Sequence, residues 1–395
     1  MSQGQSLPVP PGFPARGVPV AGGQSPSASD RVLLSGPWAT TDKLRPFQSS
    51  WRVRDCGRWV AWRQENVQVR KGDAGWSFGH LHRCGSPWSC PTCAHQISMH
   101  RASEVAQAVE WWRARDLTGQ ADVVLLTLTV RHHAGDSLRT LRQGVSQAWR
   151  AVEQSRGWRA MREACGLRHH IRCQEVTWGE NGWHPHLHIL LFCEAPELAL
   201  TYRAQLLDWW RYQVRETLGD RCLPSKRRAL DIDACNGETY IAKMGLEVGS
   251  PAAKHAREGH LSAMELAHEL ANGTPKQIEI LEPAWRHYTE AMHGAHQLQW
   301  SRGLKDALGV AESDGSIVAR PQHPERAVLC EIPKETWRDM AKAIGVAPID
   351  ALGRKKHGLP ISVQLAALLD FFRDFEEKPC SWVVRDGKFR LRWQN

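Results

Sequence analysis

The stretch Trp183-His184-Pro185-His186-Leu187-His188-Ile189-Leu190-Leu191-Phe192 leaves the chain little choice of local structure. Residues 189–192 are an apolar run of strand formers, and before them three imidazoles alternate with Pro185 and Leu187. Side chains two apart in a strand project to the same side, so the three histidines share one face. They cannot share one ion. His184 and His188 stand ~13 Å apart at ~3.3 Å per residue, whereas the ligands of one metal each lie only ~2 Å from it. A neighbouring pair can do so. Pro185 has no N–H and suits the start of a strand, which puts His184 near the turn and leaves His186 and His188 as the pair.

The flanking sequence supplies partners for this strand. Val123-Val124-Leu125-Leu126-Thr127-Leu128-Thr129-Val130 reads as a buried strand by its length and β-branching. Gly135-Asp136-Ser137 then offers a cap. Leu138, Leu141, Val145, Ala148, Trp149 and Val152 follow helical periodicity. Residues 167–178 form a second strand, joined to the histidine strand through turn residues Gly179-Glu180-Asn181-Gly182. Pro196 opens a helix with Leu206, Trp209 and Val214 on its apolar face, ending at Gly219. Residues 229–234, with Leu230 and Ile232 between charged neighbours, give a fourth strand. The order β, α, β, β, α, β predicts an α+β fold, a ferredoxin-like (split βαβ) antiparallel sheet with helices on one face.

Around this core, Val105, Val109 and Trp112 share a face of a helix expected over 97–115. Asn236 caps a short helix carrying Tyr240, Lys243 and Leu246. The chain to about 275 reads as loop, and 276–309 as mostly helical. A mostly helical C-terminal region has helices near 334–343 and 361–375 and closes in a hairpin around Asp386-Gly387. Four segments result: a disordered Pro/Gly/Ser-rich tail over 1–45, a Cys-rich N-terminal module over 46–96, a central domain over 97–310, and an accessory region over 311–395 with no assigned role.

Charge narrows the partner. Lys plus Arg exceed Asp plus Glu by 51 − 42, giving +9 and a pI near 9.1. From Arg131 to Arg172 nine arginines face only Asp136, Glu153 and Glu163. Such a stripe, in a chain with 19 Trp, fits a polyanion such as nucleic acid. No run approaches the ~20 apolar residues of a membrane helix, and the N-terminus carries no export signal. Eleven cysteines, several inside apolar runs, fit reduced thiols and metal ligation better than a disulfide framework. The expectation is a cytoplasmic protein with no membrane partner.

Two groups of residues carry chemistry. Cys90 and Cys93 form a CxxC knuckle, and Cys56 and Cys84 are each followed by a glycine that permits a tight turn towards an ion. Four thiolates complete a structural Zn2+ site, with His80, His82 or His95 as alternatives to Cys56. The second group lies on the sheet and beside it. The hairpin turn lets Glu175 approach His186 and His188, and two imidazoles with one carboxylate leave positions open for Lewis-acid work on a phosphoryl oxygen. Tyr240 and Lys243, three apart, share a helix face. A tyrosine hydroxyl can attack a phosphodiester in line and store the bond as a phosphotyrosine.

Leu125-Leu126-Thr127-Leu128-Thr129, His186-Leu187-His188 and Tyr240-Ile241-Ala242-Lys243 together resemble the three ordered motifs of HUH-superfamily endonucleases. Within that superfamily the chain is similar to bacterial plasmid rolling-circle replication initiators. The likeness spans about residues 50–310, with flanking text at Glu175-Val176-Thr177-Trp178-Gly179, Thr274-Pro275-Lys276-Gln277-Ile278 and Gln297-Leu298-Gln299-Trp300. It implies a metal-dependent nicking and joining enzyme acting on single-stranded or cruciform origin DNA. Tyr240 would form a 5′-phosphotyrosine and free a 3′-hydroxyl, with Lys243 on the scissile phosphate. Mg2+ or Mn2+ would sit at His186, His188 and Glu175, Arg131 would contact the DNA backbone, and a host helicase and polymerase would follow. One departure stands out. Related single-tyrosine initiators place a glutamate one turn before the tyrosine, where this chain has Asn236; Glu238 is the nearest substitute. The other classes considered are a transposase or relaxase, a non-catalytic zinc-dependent DNA-binding regulator, and a zinc hydrolase of small substrates.

Overall fold

The computed structural model describes residues 40–72, 75–115, 120–234, 260–310, 327–338, 380–385 and 388–393. They fall into two compact units, one drawn from residues 98–312 and the other from 30–97 and 313–395. In chain order, strands β1 (Asn66–Gly72) and β2 (Gly75–Gly79) precede helix α1 (Pro91–Ala114). Strand β3 (Asp122–Thr129) leads through α2 (Leu138–Gln154) and α3 (Arg156–Ala164) to β4 (His169–Gly179) and β5 (Gly182–Cys193). Helices α4 (Pro196–Thr201) and α5 (Arg203–Leu218) return the chain to β6 (Leu230–Ala234). Then come β7 (His260–Ser262), α6 (Ala263–Asn272), α7 (Pro275–Met292), β8 (Leu298–Trp300) and α8 (Leu304–Leu308). Strands β9 (Ala327–Pro333), β10 (Cys380–Arg385) and β11 (Lys388–Trp393) belong to the other unit.

The first unit is built on a six-stranded sheet in the order β6-β3-β5-β4-β7, with β8 also paired to β4. Its pairings are antiparallel. Strand β5 is central because its alternation satisfies both neighbours. Its odd residues Leu187, Ile189 and Leu191 join Leu126, Leu128 and Ile232 beneath the helices. There they meet Val145 and Trp149 of α2, Trp158 of α3, and Leu206, Trp210 and Val214 of α5. The Ser137 side chain caps α2 by accepting from the Thr140 amide, as the sequence predicts.

The opposite face is not bare, and here the expectation of helices on one face needs correction. Val123, Leu125, Ile171, Leu190 and Phe192 pack against Val105, Val109 and Trp112 of α1, with Leu298 and Leu304 alongside. The apolar stripe read for the 97–115 helix covers this second face. The helix itself begins earlier, at Pro91, which suits a first helical position. Residues 260–272 are likewise more ordered than their loop reading. Ser262 and Glu265 form a capping box that starts α6 directly after β7.

In the second unit a five-stranded sheet runs β10-β11-β9-β1-β2. Strand β1 pairs antiparallel with β9 over Asn66↔Pro333 to Lys71↔Ala327. Strands from the Cys-rich segment and from the C-terminal region therefore share one sheet, although the sequence reading holds 46–96 and 311–395 apart. The expected terminal hairpin is present, with Arg385 opposite Lys388. The tail expected over 1–45 lies outside the described residues as far as residue 39, as does the helix expected near 361–375. Among the described residues no helix is long and apolar enough to cross a membrane.

Leu126 is fully buried between the sheet and its helices. Leu126→Ala is expected to lower unfolding free energy by about 2–5 kcal/mol, read from the midpoint of a urea titration at constant slope.

Candidate functional site

Register decides what the second sheet face presents. His188 lies opposite Thr127 and His186 opposite Thr129 on β3. On the other side His186 lies opposite Glu175, and His184 opposite Thr177. Because partners in register project alike, Thr127, Glu175, His184, His186 and His188 occupy one face. It is the face that α1 covers only at its apolar end.

Glu175 reaches one of its two expected partners directly. His188 Nε2 donates to Glu175 Oε2 at 2.8 Å, and both side chains are largely buried. The other ring nitrogen, Nδ1, is 3.1 Å from Thr127 Oγ1. With Nε2 donating, Nδ1 accepts from the threonine hydroxyl, so two hydrogen bonds fix the ring. The His186 ring lies 6.1 Å from that of His188 by centroids and 3.9 Å from that of His184. Burial pushes His184 down to about 2, helped by the positive potential of His186 and His132.

The row of imidazoles extends further than the sequence reading held. His132 packs 4.4 Å from His184, and its Nδ1 donates to the Asn181 carbonyl in the hairpin turn at 2.8 Å. Burial lowers its pKa as well. His260 on β7 also raises the positive potential at both rings. The available signal was the His132-His133 pair just past the end of β3. His260 is reached through the β4–β7 pairing, which no local pattern announces.

Arg131 is exposed where β3 ends, its amide bonded to the Cys222 carbonyl at 2.9 Å. Lys226, Arg227 and Arg228 are exposed on the adjoining segment, which the Thr129 amide joins by donating to Ala229 at 3.0 Å. One rim of the histidine face is thus basic. Tyr240, Lys243, Glu238 and Asn236 lie outside the described residues.

In the second unit Cys56, Cys84, Cys90 and Cys93 place their sulfurs within 4.8 Å of one another, the one such group of three or more candidate ligands among the described residues. Cys56 and Cys93 are 3.4 Å apart, and Cys84 and Cys93 3.6 Å. Gly57 and Gly85 both take positive φ, at 73° and 68°, which gives the glycine turns after Cys56 and Cys84 their reason. Of the histidine alternatives, His80 is engaged with Asn66 and His82 with the Arg52 carbonyl, and His95 is not in the cluster. Hydrogen bonds from Cys84, then Cys90 and Cys93, hold the Cys56 thiol well below its ordinary range. The bond to Cys56 pushes Cys84 up, and the same partner does so for Cys90.

On this sheet face clustered imidazoles stand beside a carboxylate and a basic rim, and comparison with known proteins supplies the context. Residues 79–201, the stretch holding Cys84, Cys90, Cys93, Glu175, His186 and His188, match the family model described as a replication protein. The chain is also similar to "Protein rep" of Streptomyces lividans, 28% identical over 302 residues. That match takes in 59% of this chain and 65% of the relative's length. No solved structure matches. Both matches support the resemblance to plasmid replication initiators.

Gly182 holds the hairpin against the His132 loop. Its φ is +83°, and a Cβ there would meet the Ala134 Cα at 2.9 Å and the His133 carbonyl oxygen at 3.1 Å. Both obstacles are backbone. Gly182→Ala is expected to lower stability by about 1–3 kcal/mol, read by chemical denaturation, while Gly219→Ala, with nothing within 4 Å, carries only the strain of its positive φ.

Proposed function

We propose that this protein is a plasmid rolling-circle replication initiator of the HUH superfamily, which nicks one strand of single-stranded or cruciform origin DNA through Tyr240. The carrying observation is the placement of His186, His188 and Glu175 on one sheet face, with Glu175 already bonded to His188. The strand order β6-β3-β5-β4, with helices after β3 and after β5, supports this reading, being the order expected of a split βαβ (ferredoxin-like) sheet.

Two imidazoles and a carboxylate suit Mg2+ or Mn2+ with positions left for substrate oxygens. His186, His188 and Glu175 would hold the ion, which supplies Lewis-acid polarisation of the scissile phosphate. The chain's own contribution is orientation. Thr127 Oγ1 lies 3.1 Å from His188 Nδ1. With an ion held, Nδ1–H would donate to this hydroxyl and leave the lone pair of Nε2, on the Glu175 side, for the metal, so that the outer partner sets which nitrogen ligates. Half-buried His132 and His184, their pKa values lowered by burial, stand beside the pair without adding charge.

Tyr240 gains support by elimination. The chain has four tyrosines. Tyr202 packs against the helix-side core, and Tyr212 is exposed on α5. Tyr288 is buried and stacked on Trp183, its phenol pushed up by burial. Tyr202, at the N-cap of α5, and Tyr212 belong to the helix that covers the side of the sheet away from the histidines, and Tyr288 is 1% exposed and closed to a DNA phosphate. Ala234, six residues before Tyr240, lies beside Val124, and His188 lies beside Thr127 three positions along β3. Six residues can span up to ~20 Å, ample for that offset of ~10 Å.

The reaction balances without a cofactor that is consumed. The Tyr240 oxygen bonds to phosphorus, the bond to the 3′ oxygen breaks, and that oxygen leaves as a hydroxyl carrying a proton. Lys243 holds the phosphate and favours the phenolate. The freed 3′-hydroxyl primes a host polymerase, behind a host helicase, in the cytoplasm. Glu238 is the candidate for activating water at termination. Arg131 and its basic neighbours hold the DNA backbone beside the face.

The four cysteines form a structural Zn2+ site. Tetrahedral zinc with Zn–S bonds of ~2.3 Å sets its sulfurs ~3.8 Å apart, near the 3.4 and 3.6 Å separations present. Amides of Cys84 and Ser86 point at Cys56 and Cys84 sulfurs, at 3.5 and 3.4 Å, as donors to thiolates do.

Incubated with single-stranded origin fragments and Mn2+, the protein is expected to form a denaturation-resistant adduct, lost with EDTA and in Tyr240→Phe. An adduct undiminished in Tyr240→Phe would sink the assignment. Thr127→Val should slow nicking about 10–100-fold while leaving the adduct chemistry intact. Elemental analysis should find about one zinc per chain, lost in Cys90→Ser; metal-free protein with a full complement of free thiols would refute the zinc site.

A further inference from the structure

The helix-covered side of the sheet carries a second cluster that the histidine face does not use. Arg142, Ser146 and Arg150 are four residues apart on α2 and form one stripe along it. Across from them Arg172 and Gln174 project from β4 on the side of Leu187, away from Glu175. These residues, with His296 and Gln299, line an open cleft of ≈ 200 Å³. Three guanidinium groups meet there, and no carboxylate lines it.

Donors outnumber acceptors in this cleft. Arg142 Nε and Gln174 Nε2 are buried and have no hydrogen-bond partner among the described residues. Gln174 as a residue is only 6% exposed. Arg172 Nη2 donates to Gln299 Oε1. Burial lowers the Arg172 pKa, and Glu153 offsets this only in part, its carboxylate being already bonded to His170 at 2.9 Å. Buried donors left over are costly, and an anion would satisfy several of them together.

The lining also says which anion. Apart from the exposed His296 it has no aromatic ring on which a base could stack. The charge continues outside the cleft, through exposed Arg139 on α2 and exposed Arg156 and Arg159 on α3. A free nucleotide would leave these unused, whereas a polymer backbone would not. We propose that the Arg142–Arg150–Arg172 cleft binds a backbone phosphate of DNA, a sequence-independent grip on the side of the sheet opposite His186 and His188. The functional reading supplies only the choice of DNA as the polyanion.

The test measures anisotropy of labelled random-sequence duplex and single-stranded DNA bound to the full chain across a salt series. In Arg142→Gln/Arg150→Gln, log K against log[salt] should become shallower by roughly 0.9 per lost phosphate contact on duplex, or roughly 0.7 on single strands. The doubly lysine-substituted protein should keep most of the slope. Arg215→Gln removes an exposed charge paired with Asp220 and should leave the slope unchanged. A double-glutamine slope equal to wild type overturns the proposal, as does a loss matched by Arg215→Gln. If millimolar inorganic phosphate stabilises wild type but not the double variant, while their DNA slopes coincide, a small phosphate is the occupant and the DNA site is wrong. Should the double variant not fold, Arg150→Gln alone, at an exposed residue, is read in the same way. Binding measured so is independent of any adduct through Tyr240, so the two readings fail separately.

Discussion

The pairing of β5 with β3 on one side and β4 on the other is the constraint from which the rest follows. Its residues alternate between an apolar core and a chemical face, and that alternation has no tolerance for a slip of one residue. A slip would send Leu187, Ile189 and Leu191 out from beneath the helices and turn the imidazoles into the core. Re-exposing three such side chains costs roughly 5–9 kcal/mol, comparable with the whole stability of a domain. The hydrophobic core therefore fixes where the histidines point. The geometry of the histidine face is held by residues on the other side of the sheet.

The same strand shows why one face can be both covered and open. Leu190 and Phe192 follow His186 and His188 on the even-numbered side, and α1 covers only that apolar stretch through Val105, Val109 and Trp112. Towards the hairpin the face holds imidazoles and Glu175 instead. The boundary between core and site is thus written into a single strand, within four residues.

Much of this was legible because the decisive patterns are local. Ser137 with its helical stripe, the Gly-flanked turn after Trp178, and the alternation around Leu187 each act within a few residues. A two-residue turn at Glu180 and Asn181 then sets Glu175 opposite His186 by counting alone. The cysteine cluster was legible for the same reason, through CxxC spacing and glycine turns. What escaped depends on distant pairing. Strand β7 is three residues long and ordered by its neighbour β4, so His260 gave no signal. The β1–β9 pairing joins segments far apart in sequence. The second role of the arginines on α2 needs β4 beside them, which no helical period can reveal.

The sheet finally separates two kinds of work that interfere when mixed. Holding a polyanion calls for permanent positive charge, which guanidinium groups keep at any accessible pH. Holding a metal calls for neutral imidazoles, because a protonated ring has no lone pair to give. Burial depresses His132 and His184, while Arg131 and Arg228 are exposed where β3 ends and Arg172 projects to the other side of the sheet. A guanidinium within the histidine row would repel the ion that the row is suited to hold. With Arg131 and Arg228 at the edge, and Arg142 and Arg172 on the far side, the proposed grip on phosphate and the proposed cation site would not compete, because the positive charge stands apart from His186, His188 and Glu175.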